Sequence, residues 1–457
     1  MAYKQEKPNV VVCLCDQLRS FEVGCYGNPV IRTPNIDRLA EHGVWFDIAC
    51  SNNPVCSPGR SILLSGQSGR TCMGMLGNVG EPTPERQHLL QPTLPEMFRH
   101  AGYRTGLVGK WHMQPLPTEV GFDFAVYPRV AHRYTGQTYI DTNGEETVIE
   151  DFAPERELQA LEQFLGDNRE EPFFLYHNIS QPHMPVFDAP EHYKTMYRPD
   201  GVPLRENVWN DGRLARDENW FRIYAWDFLY YQHHLPYTEE LPDGFDLRDL
   251  TALYYGMTTW VDDQLGQLMH LLEANGIAEN TIVLFTSDHG DNLGSHHLFN
   301  KDQLYEESIR IPMILHWPVG LAAGCITSQV ASLVDVMPTL LRLAGIQAPA
   351  TVQGTDLSRV VTGDAQTAGE NAAFIETSPG DVGVRTLTHL CGINKAKDGK
   401  RRTAAIRDPD YMFFDLSTDP LQENNLAKTG KGGEAASGLR ERLIRWDRET
   451  PWMDTGR

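Results

Sequence analysis

The stretch Val10-Val11-Val12-Cys13-Leu14-Cys15, followed at once by Asp16-Gln17, decides the fold. Six consecutive apolar residues with no polar alternation have the length and character of a strand buried on both faces. Three further runs repeat the pattern. Thr105-Gly106-Leu107-Val108 ends at Gly109-Lys110-Trp111-His112. Phe173-Phe174-Leu175-Tyr176 ends at His177 and continues to Gln181-Pro182-His183. Thr281 to Thr286 ends at Ser287-Asp288-His289-Gly290-Asp291. Helical patterns separate these runs: Asn35 to Gly43, Leu94 to Gly102, Glu155 to Leu165 and the long Leu247 to Asn275. Strands alternating with helices predict an α/β fold, a large, mostly parallel sheet sandwiched by helices. In such a sheet the site lies beyond the carboxyl ends of the strands. The polar tips of all four runs are therefore expected in one crevice.

Two regions depart from this rhythm. Trp209 to Tyr237 carries nine aromatics in 29 positions, interrupted by charges, and reads as an insertion of about 209–237. It is expected to form the rim of a substrate cleft, or else to pack an extra helix or a contact between copies of the chain. From about residue 371, short strand-like pieces such as Ala373-Phe374-Ile375 and Tyr411 to Phe414 flank a basic turn, Lys395 to Arg402. An amphipathic helix from Gly438 to Arg448 follows. The expected division is a catalytic α/β domain over 1–370 and a smaller C-terminal α+β subdomain over 371–457.

Composition narrows the function. The 457 residues hold 40 Lys and Arg against 61 Asp and Glu, a net charge of −21. A chain this acidic is poorly suited to neutralising phosphates, so neither nucleic acid nor an anionic membrane is an expected partner. The first 15 residues contain no signal-type apolar core with a cleavage site, and no run approaches the ~18 apolar residues of a membrane span. The expected location is the cytoplasm, or the periplasm if a leader was removed. The eight cysteines form no CxxC pair and are expected as reduced, mostly buried thiols.

Cys56 is the exception. In Cys56-Ser57-Pro58-Gly59-Arg60, Pro58 suits the first turn of a helix, which places Cys56 at its N-terminus. Free N–H groups and the helix dipole there favour a thiolate or an anionic substrate. The segment also matches C-x-P-x-R, and in this it resembles the type I, formylglycine-dependent sulfatases of the alkaline phosphatase superfamily. The other tips carry the same resemblance in the same order: Asp16-Gln17, Gly109 to His112, Gln181 to Pro185, Ser287 to Gly290, Lys301 to Glu307, and the closing Phe414-Asp415-Leu416, Asp419-Pro420 and Asn425-Leu426. Gln17 and His289 stand where many members have Asp and Asn. That pattern is similar to the phosphonate monoester hydrolase and choline-sulfatase branches.

The resemblance implies an alkaline phosphatase-like fold and a chemistry. Cys56 would be converted to formylglycine by a separate maturation enzyme. Its hydrated aldehyde would attack the ester, and the second hydroxyl would expel sulfate from the intermediate. Asp16, Gln17, Cys56, Asp288 and His289 would hold one divalent metal. The oxygen ligands suit Ca²⁺, and the His289 imidazole makes Mn²⁺ a competitor. Arg60 would fix the diol and metal ligands. Lys110 and Lys301 would neutralise the ester oxygens. His112 would be the base for the second hydroxyl, and His183, with Lys301, the donor to the leaving oxygen. Asn78 is a further candidate for a substrate oxygen, and one of His296 and His297 is expected near the site. The expected substrate is a small sulfate ester, a sulfated sugar or an aryl or alkyl sulfate. The alternatives are a phosphonate monoester or phosphodiester on the same site, and a binding protein or inactive homologue whose Cys56 stays a thiol.

Overall fold

The structure is a computed structural model, and it describes residues 7–129, 133–186, 188–208, 246–397 and 403–453. The first apolar run forms β1 (Asn9–Asp16), which has no exposed residue along its length. It is flanked in parallel by β8 (Phe173–Pro182) and β9 (Thr281–Ser287), with Val12 opposite both Tyr176 and Leu284. Beyond β8 lie β4 (Arg104–Gly109) and β5 (Phe124–Pro128), also parallel. These five strands are the middle of a ten-stranded sheet. On one side it is extended by β11 (Met313–His316), β2 (Val44–Phe46) and β12 (Cys325–Thr327). On the other side the antiparallel pair β6 (Thr135–Asp141) and β7 (Glu146–Phe152) completes it, and a separate three-stranded sheet is made of β10 (Arg310–Ile311), β3 (Ala49–Cys50) and β13 (Ala331–Ser332).

Alternation along β1 explains the layers. Val10, Val12 and Leu14 face α1 (Cys56–Ser65) and its Ile62, Leu63 and Leu64. Val11, Cys13 and Cys15 face the opposite core, built with α2 (Ala153–Asp167) and α3 (Leu247–Ala274). Each fully buried aliphatic side chain contributes about 1.5–3 kcal/mol, so both faces of β1 are committed. The expected large, mostly parallel sheet between helices is the observed one.

The C-terminal region forms a separate antiparallel sheet, β14 (Ala372–Glu376), β15 (Asp381–Thr386), β16 (His389–Lys397) and β17 (Thr403–Asp415), backed by α4 (Gly433–Glu449). The expected basic turn starts too early, since β16 continues through Lys397. Lys395 is a buried strand residue because its ammonium pairs with Asp447 of α4 at 2.7 Å. Residues 398–402 and the aromatic segment 209–237 lie outside the described residues. No helix among the described residues is long and apolar enough to cross a membrane.

Candidate active site

Neighbouring parallel strands end on one edge, and here four of them end in chemistry. Asp16 closes β1, Asp288 lies one residue past β9, Lys110 one past β4, and His183 one past β8. Register enforces the convergence: Cys15 is opposite Ser287, Asp16 opposite Pro182, and Gly109 opposite Asn178. Gly109 has φ +92°, and a Cβ there would sit 2.1 Å from the Asn178 carbonyl oxygen. Only glycine turns the chain so tightly against β8 and aims Lys110 inward.

α1 begins at Cys56, which has no exposed surface. Gly59 lets this helix lie against the metal-side loop, since a Cβ there would meet the Asp288 carbonyl oxygen at 3.0 Å. The Asn78 Oδ1 accepts the Ser57 N–H at 3.0 Å, capping the helix start from outside the helix. Asn78 itself is exposed.

The sequence-predicted residues meet around the Cys56 sulfur. His289 Nε2 lies 3.3 Å from Sγ, Lys301 Nζ 3.3 Å, Asp16 Oδ1 3.8 Å and Lys110 Nζ 3.9 Å. His183 and His112 are also hydrogen-bonding neighbours of the sulfur. Arg60, one turn along α1, bridges both carboxylates, with Nη2 2.9 Å from Asp16 Oδ2 and 3.0 Å from Asp288 Oδ2. Lys110 pairs with Asp16 Oδ2 as well. Lys301 donates to Gln17 Oε1 at 2.7 Å. Gln17 is forced to φ +68° at the tip of β1, the kind of local strain that persists where the surroundings over-determine it.

Asp16, Cys56, Asp288 and His289 each offer one donor atom, and these atoms lie within 4.8 Å of one another. Ligands 2.3–2.6 Å from one Ca²⁺ can be no more than about 5 Å apart, so the four fit a shared ion. His289 Nδ1 donates to the Gly290 carbonyl at 2.9 Å, which turns the Nε2 lone pair toward the carboxylates. A metal-binding imidazole is oriented in this way. The donor set therefore suits a divalent cation.

Electrostatics agree with the geometry. Arg60, Lys110 and Lys301 are buried beside Asp16 and Asp288, three cationic side chains against two carboxylates, which favours a further anion at Cys56. Burial opposes ionisation of Cys56, but Lys110, Lys301 and His289 hold its thiol well below the usual range. Burial pushes up the other buried thiols Cys13, Cys15, Cys50 and Cys72, and at Cys50 the nearby Arg385 and Arg310 do not outweigh it. For Asp16, burial and Cys56 work against ionisation, and Lys110, His183 and Arg60 outweigh them and keep the carboxyl low. Asp288 is raised by burial and by the neighbouring Asp16 charge. Burial and Lys301 push His183 down to about 4. Its Nδ1–H donates to the Met184 carbonyl at 2.7 Å, so a neutral ring presents Nε2 as an acceptor.

His296 packs against the segment that follows Lys301. It stacks on Tyr305 with centroids 3.7 Å apart, and its Nε2 lies 3.5 Å from Glu307 Oε2. Sequence reading missed two supports of the site. The Tyr254 hydroxyl, mid-helix in α3, donates to the Gln17 carbonyl at 2.5 Å, and nothing in its spacing signals this. Asp291 accepts from the Gln17 side chain, and its place at the end of Ser287 to Asp291 was the available signal.

The chain is similar to known sulfatases along most of its length. The sulfatase family model matches residues 8–346, and that of the N-sulphoglucosamine sulphohydrolase C-terminal region matches 294–449. An ulvan-active sulfatase of Formosa agariphila is 30% identical over 443 residues, spanning 92% of this chain and 77% of that protein. The structure of BT4656 in complex with its substrate D-glucosamine-2-N,6-O-disulfate superposes with a TM-score of 0.80 at 23% identity, covering 97% of this chain and 98% of that one. The phosphonate monoester hydrolase of Agrobacterium radiobacter superposes at 0.73 with 21% identity, covering 97% and 96%. With a family model spanning most of its length and the cysteine, carboxylates and cations of the motif gathered in one pocket, the chain belongs to the sulfatase family.

Proposed function

We propose that the protein hydrolyses the sulfate ester of a small organic molecule, a sulfated sugar foremost, with formylglycine derived from Cys56 and a divalent ion held by Asp16, Gln17, Asp288 and His289. One observation carries this reading: Cys56 opens a helix inside a buried Asp16–Asp288–His289 cluster and is ringed by the ammonium groups of Lys110 and Lys301. The sugar preference is supported by the ulvan-active relative and by the disulfated glucosamine bound to BT4656. Ca²⁺ is the ion the family resemblance favours, and Mn²⁺ is the competitor the imidazole favours.

The formylglycine diol supplies the nucleophile and a second hydroxyl for release of sulfate, and the cation lowers the cost of ionising that nucleophile. The chain's own residues do the rest. Lys110 and Lys301 neutralise the non-bridging oxygens as charge builds on them. Arg60 fixes both carboxylates, so the ligands need no reorganisation during the reaction. Lys301 carries a proton at neutral pH and is the donor to the leaving oxygen. His183 joins it only where a bound anion raises the ring's affinity for a proton. His112 takes the proton from the second hydroxyl. A neutral imidazole is required for that, and His112 lies on the Ser57 side of the helix start, its carbonyl accepting from Ser57 Oγ at 2.9 Å.

The test is relative kcat/KM on aryl sulfate, sulfated monosaccharides and an aryl phosphonate monoester, using protein made with the maturation enzyme and loaded with Ca²⁺ or Mn²⁺. Sulfate esters are expected to lead. A phosphonate lead would favour the alternative that Gln17 and His289 raise. Peptide mass spectrometry of the fragment holding Cys56 is expected to show the aldehyde, and Cys56→Ala is expected to abolish turnover. A converted protein inactive on every ester would overturn the reading.

A further inference from the structure

Gln17 is an unusual ligand because its side-chain amide has two unlike ends. Its oxygen can ligate a cation, and its NH₂ would repel one. Which end faces the cluster has to be imposed from outside. The structure shows what imposes it. Asp291, 1% exposed, places Oδ2 2.6 Å from the Gln17 Nε2. A carboxylate can only accept, so the NH₂ must point to Asp291. The opposite end, Oε1, then accepts from Lys301 Nζ at 2.7 Å, and that ammonium lies 3.3 Å from the Cys56 sulfur. An ammonium can only donate, so both partners dictate one orientation.

Asp291 is itself held rigid. Its Oδ1 accepts the backbone N–H of Leu293 at 2.8 Å and of Asn300 at 3.0 Å. Those two residues have φ +43° and +64°, so the carboxylate also pins the strained segment that delivers Lys301. The Gln17 backbone is tied to the cluster as well, its N–H donating to Asp288 Oδ1 at 3.1 Å. What remains to be set is the amide's rotation, and Asp291 fixes its NH₂ end while Lys301 meets its oxygen.

We propose that Asp291 is a positioning residue of the cation site, which fixes the Gln17 side chain with its carbonyl oxygen toward the ion and its NH₂ away from it. This rests on the metal reading given above. It assigns to Asp291 no contact with ion or substrate. In Asp291→Asn one of the two acceptor oxygens becomes an NH₂, so the side chain can no longer accept both from Gln17 Nε2 and from the Leu293 and Asn300 N–H groups; Lys301 is then left alone to hold the amide, and a flipped amide presents N–H groups to the ion.

A double-mutant cycle tests this, with Ca²⁺ and Mn²⁺ titrated calorimetrically into chelator-treated protein, all variants carrying Cys56 in the same state. Asp291→Asn is isosteric and is expected to weaken ion binding by about 10–100-fold, the usual effect of losing such an outer partner. Gln17→Met removes the amide. In that background Asp291→Asn is expected to cost little further affinity, because there is no amide left to orient. Additive losses would mean that Asp291 acts by its charge alone, and would overturn the proposal. Equal affinity in wild type and Asp291→Asn would do the same. Thermal melting in EDTA identifies a variant that has lost its fold; if Asp291→Asn is one, Asp291→Glu is titrated in its place, and undiminished binding there, with the acceptor kept, is expected. Wild-type protein that binds neither ion would overturn the metal reading and this inference with it, an outcome distinct from wild type binding and the cycle being additive.

Discussion

Arg60 shows how much one side chain can decide. Its guanidinium has no exposed surface and touches Asp16 and Asp288 at once. Removing one partner of a buried ion pair costs about 3–5 kcal/mol, because the other charge is left without compensation. Arg60→Met is expected to lower unfolding stability in EDTA by about that much, read from urea denaturation. Saturating Ca²⁺ or Mn²⁺ is expected to narrow the gap, since a cation can serve the same carboxylates. An equal gap with and without ion would separate the carboxylates from the metal. His177 makes a second prediction at this scale. Burial holds its imidazole at about 4, against an ordinary value near 6.5. Between those values the unfolded chain binds a proton that the native chain refuses. Stability is therefore complete above pH ~6.5 and falls as pH drops toward ~4, by up to about 3 kcal/mol for this ring. His177→Phe is expected to flatten the pH dependence in that window and leave stability at pH 7.5 little changed.

At the scale of elements, the start of α1 is held by a residue 21 positions away. Asn78 accepts from the Ser57 N–H, while Ser57 Oγ donates to the His112 carbonyl and accepts the Val79 N–H at 3.3 Å. The helix that presents Cys56 is thus capped by two loops. Asn78→Ala is expected to cost about 1 kcal/mol of stability, as loss of a cap does, and Asn78→Asp to retain it. Equilibrium denaturation measures both, and KM in the same variants separates capping from any substrate contact. Much of this element was legible in advance, because Pro58 and the following apolar run mark a helix start in the sequence itself. The strands β1, β4, β8 and β9 were legible for a similar reason: strands buried on both faces are written as unbroken apolar runs. The antiparallel pair β6 and β7 was not, since strands with partly exposed faces, such as Glu146–Phe152, carry no such run. The site residues at strand tips could be read from local motifs. The Gln17–Asp291 and Gln17–Tyr254 contacts could not be read from spacing, since they join positions 274 and 237 residues apart.

Across the whole molecule, the C-terminal sheet is fastened to the catalytic region by buried charge. Arg70, just beyond α1, pairs with Glu376 of β14 and with Asp447 of α4 at 2.8 Å. The rings of Trp446 and Trp452 lie 5.2 and 5.1 Å from its guanidinium carbon. Lys395 completes the cluster from β16. The consequence reaches the active site. Two residues after Glu376, the Ser378 N–H donates to Asp302 Oδ1 at 2.8 Å and its hydroxyl to the Leu76 carbonyl at 2.5 Å. Asp302 adjoins Lys301, so the C-terminal sheet braces the loop that carries the cation beside Cys56. Arg70→Met leaves Glu376 buried with no guanidinium and is expected to cost about 3–5 kcal/mol in urea denaturation. It is also expected to raise KM, because the brace at Ser378 loosens while the strand-tip groups stay in place. Arg70→Met combined with Glu376→Leu removes both charges, and apolar replacement of a whole buried pair is often neutral. Stability and KM are both expected to recover toward wild type in that variant, with Lys395 still neutralising Asp447. Recovery of stability with KM still raised would show that Arg70 acts on the site by a route other than the β14 brace.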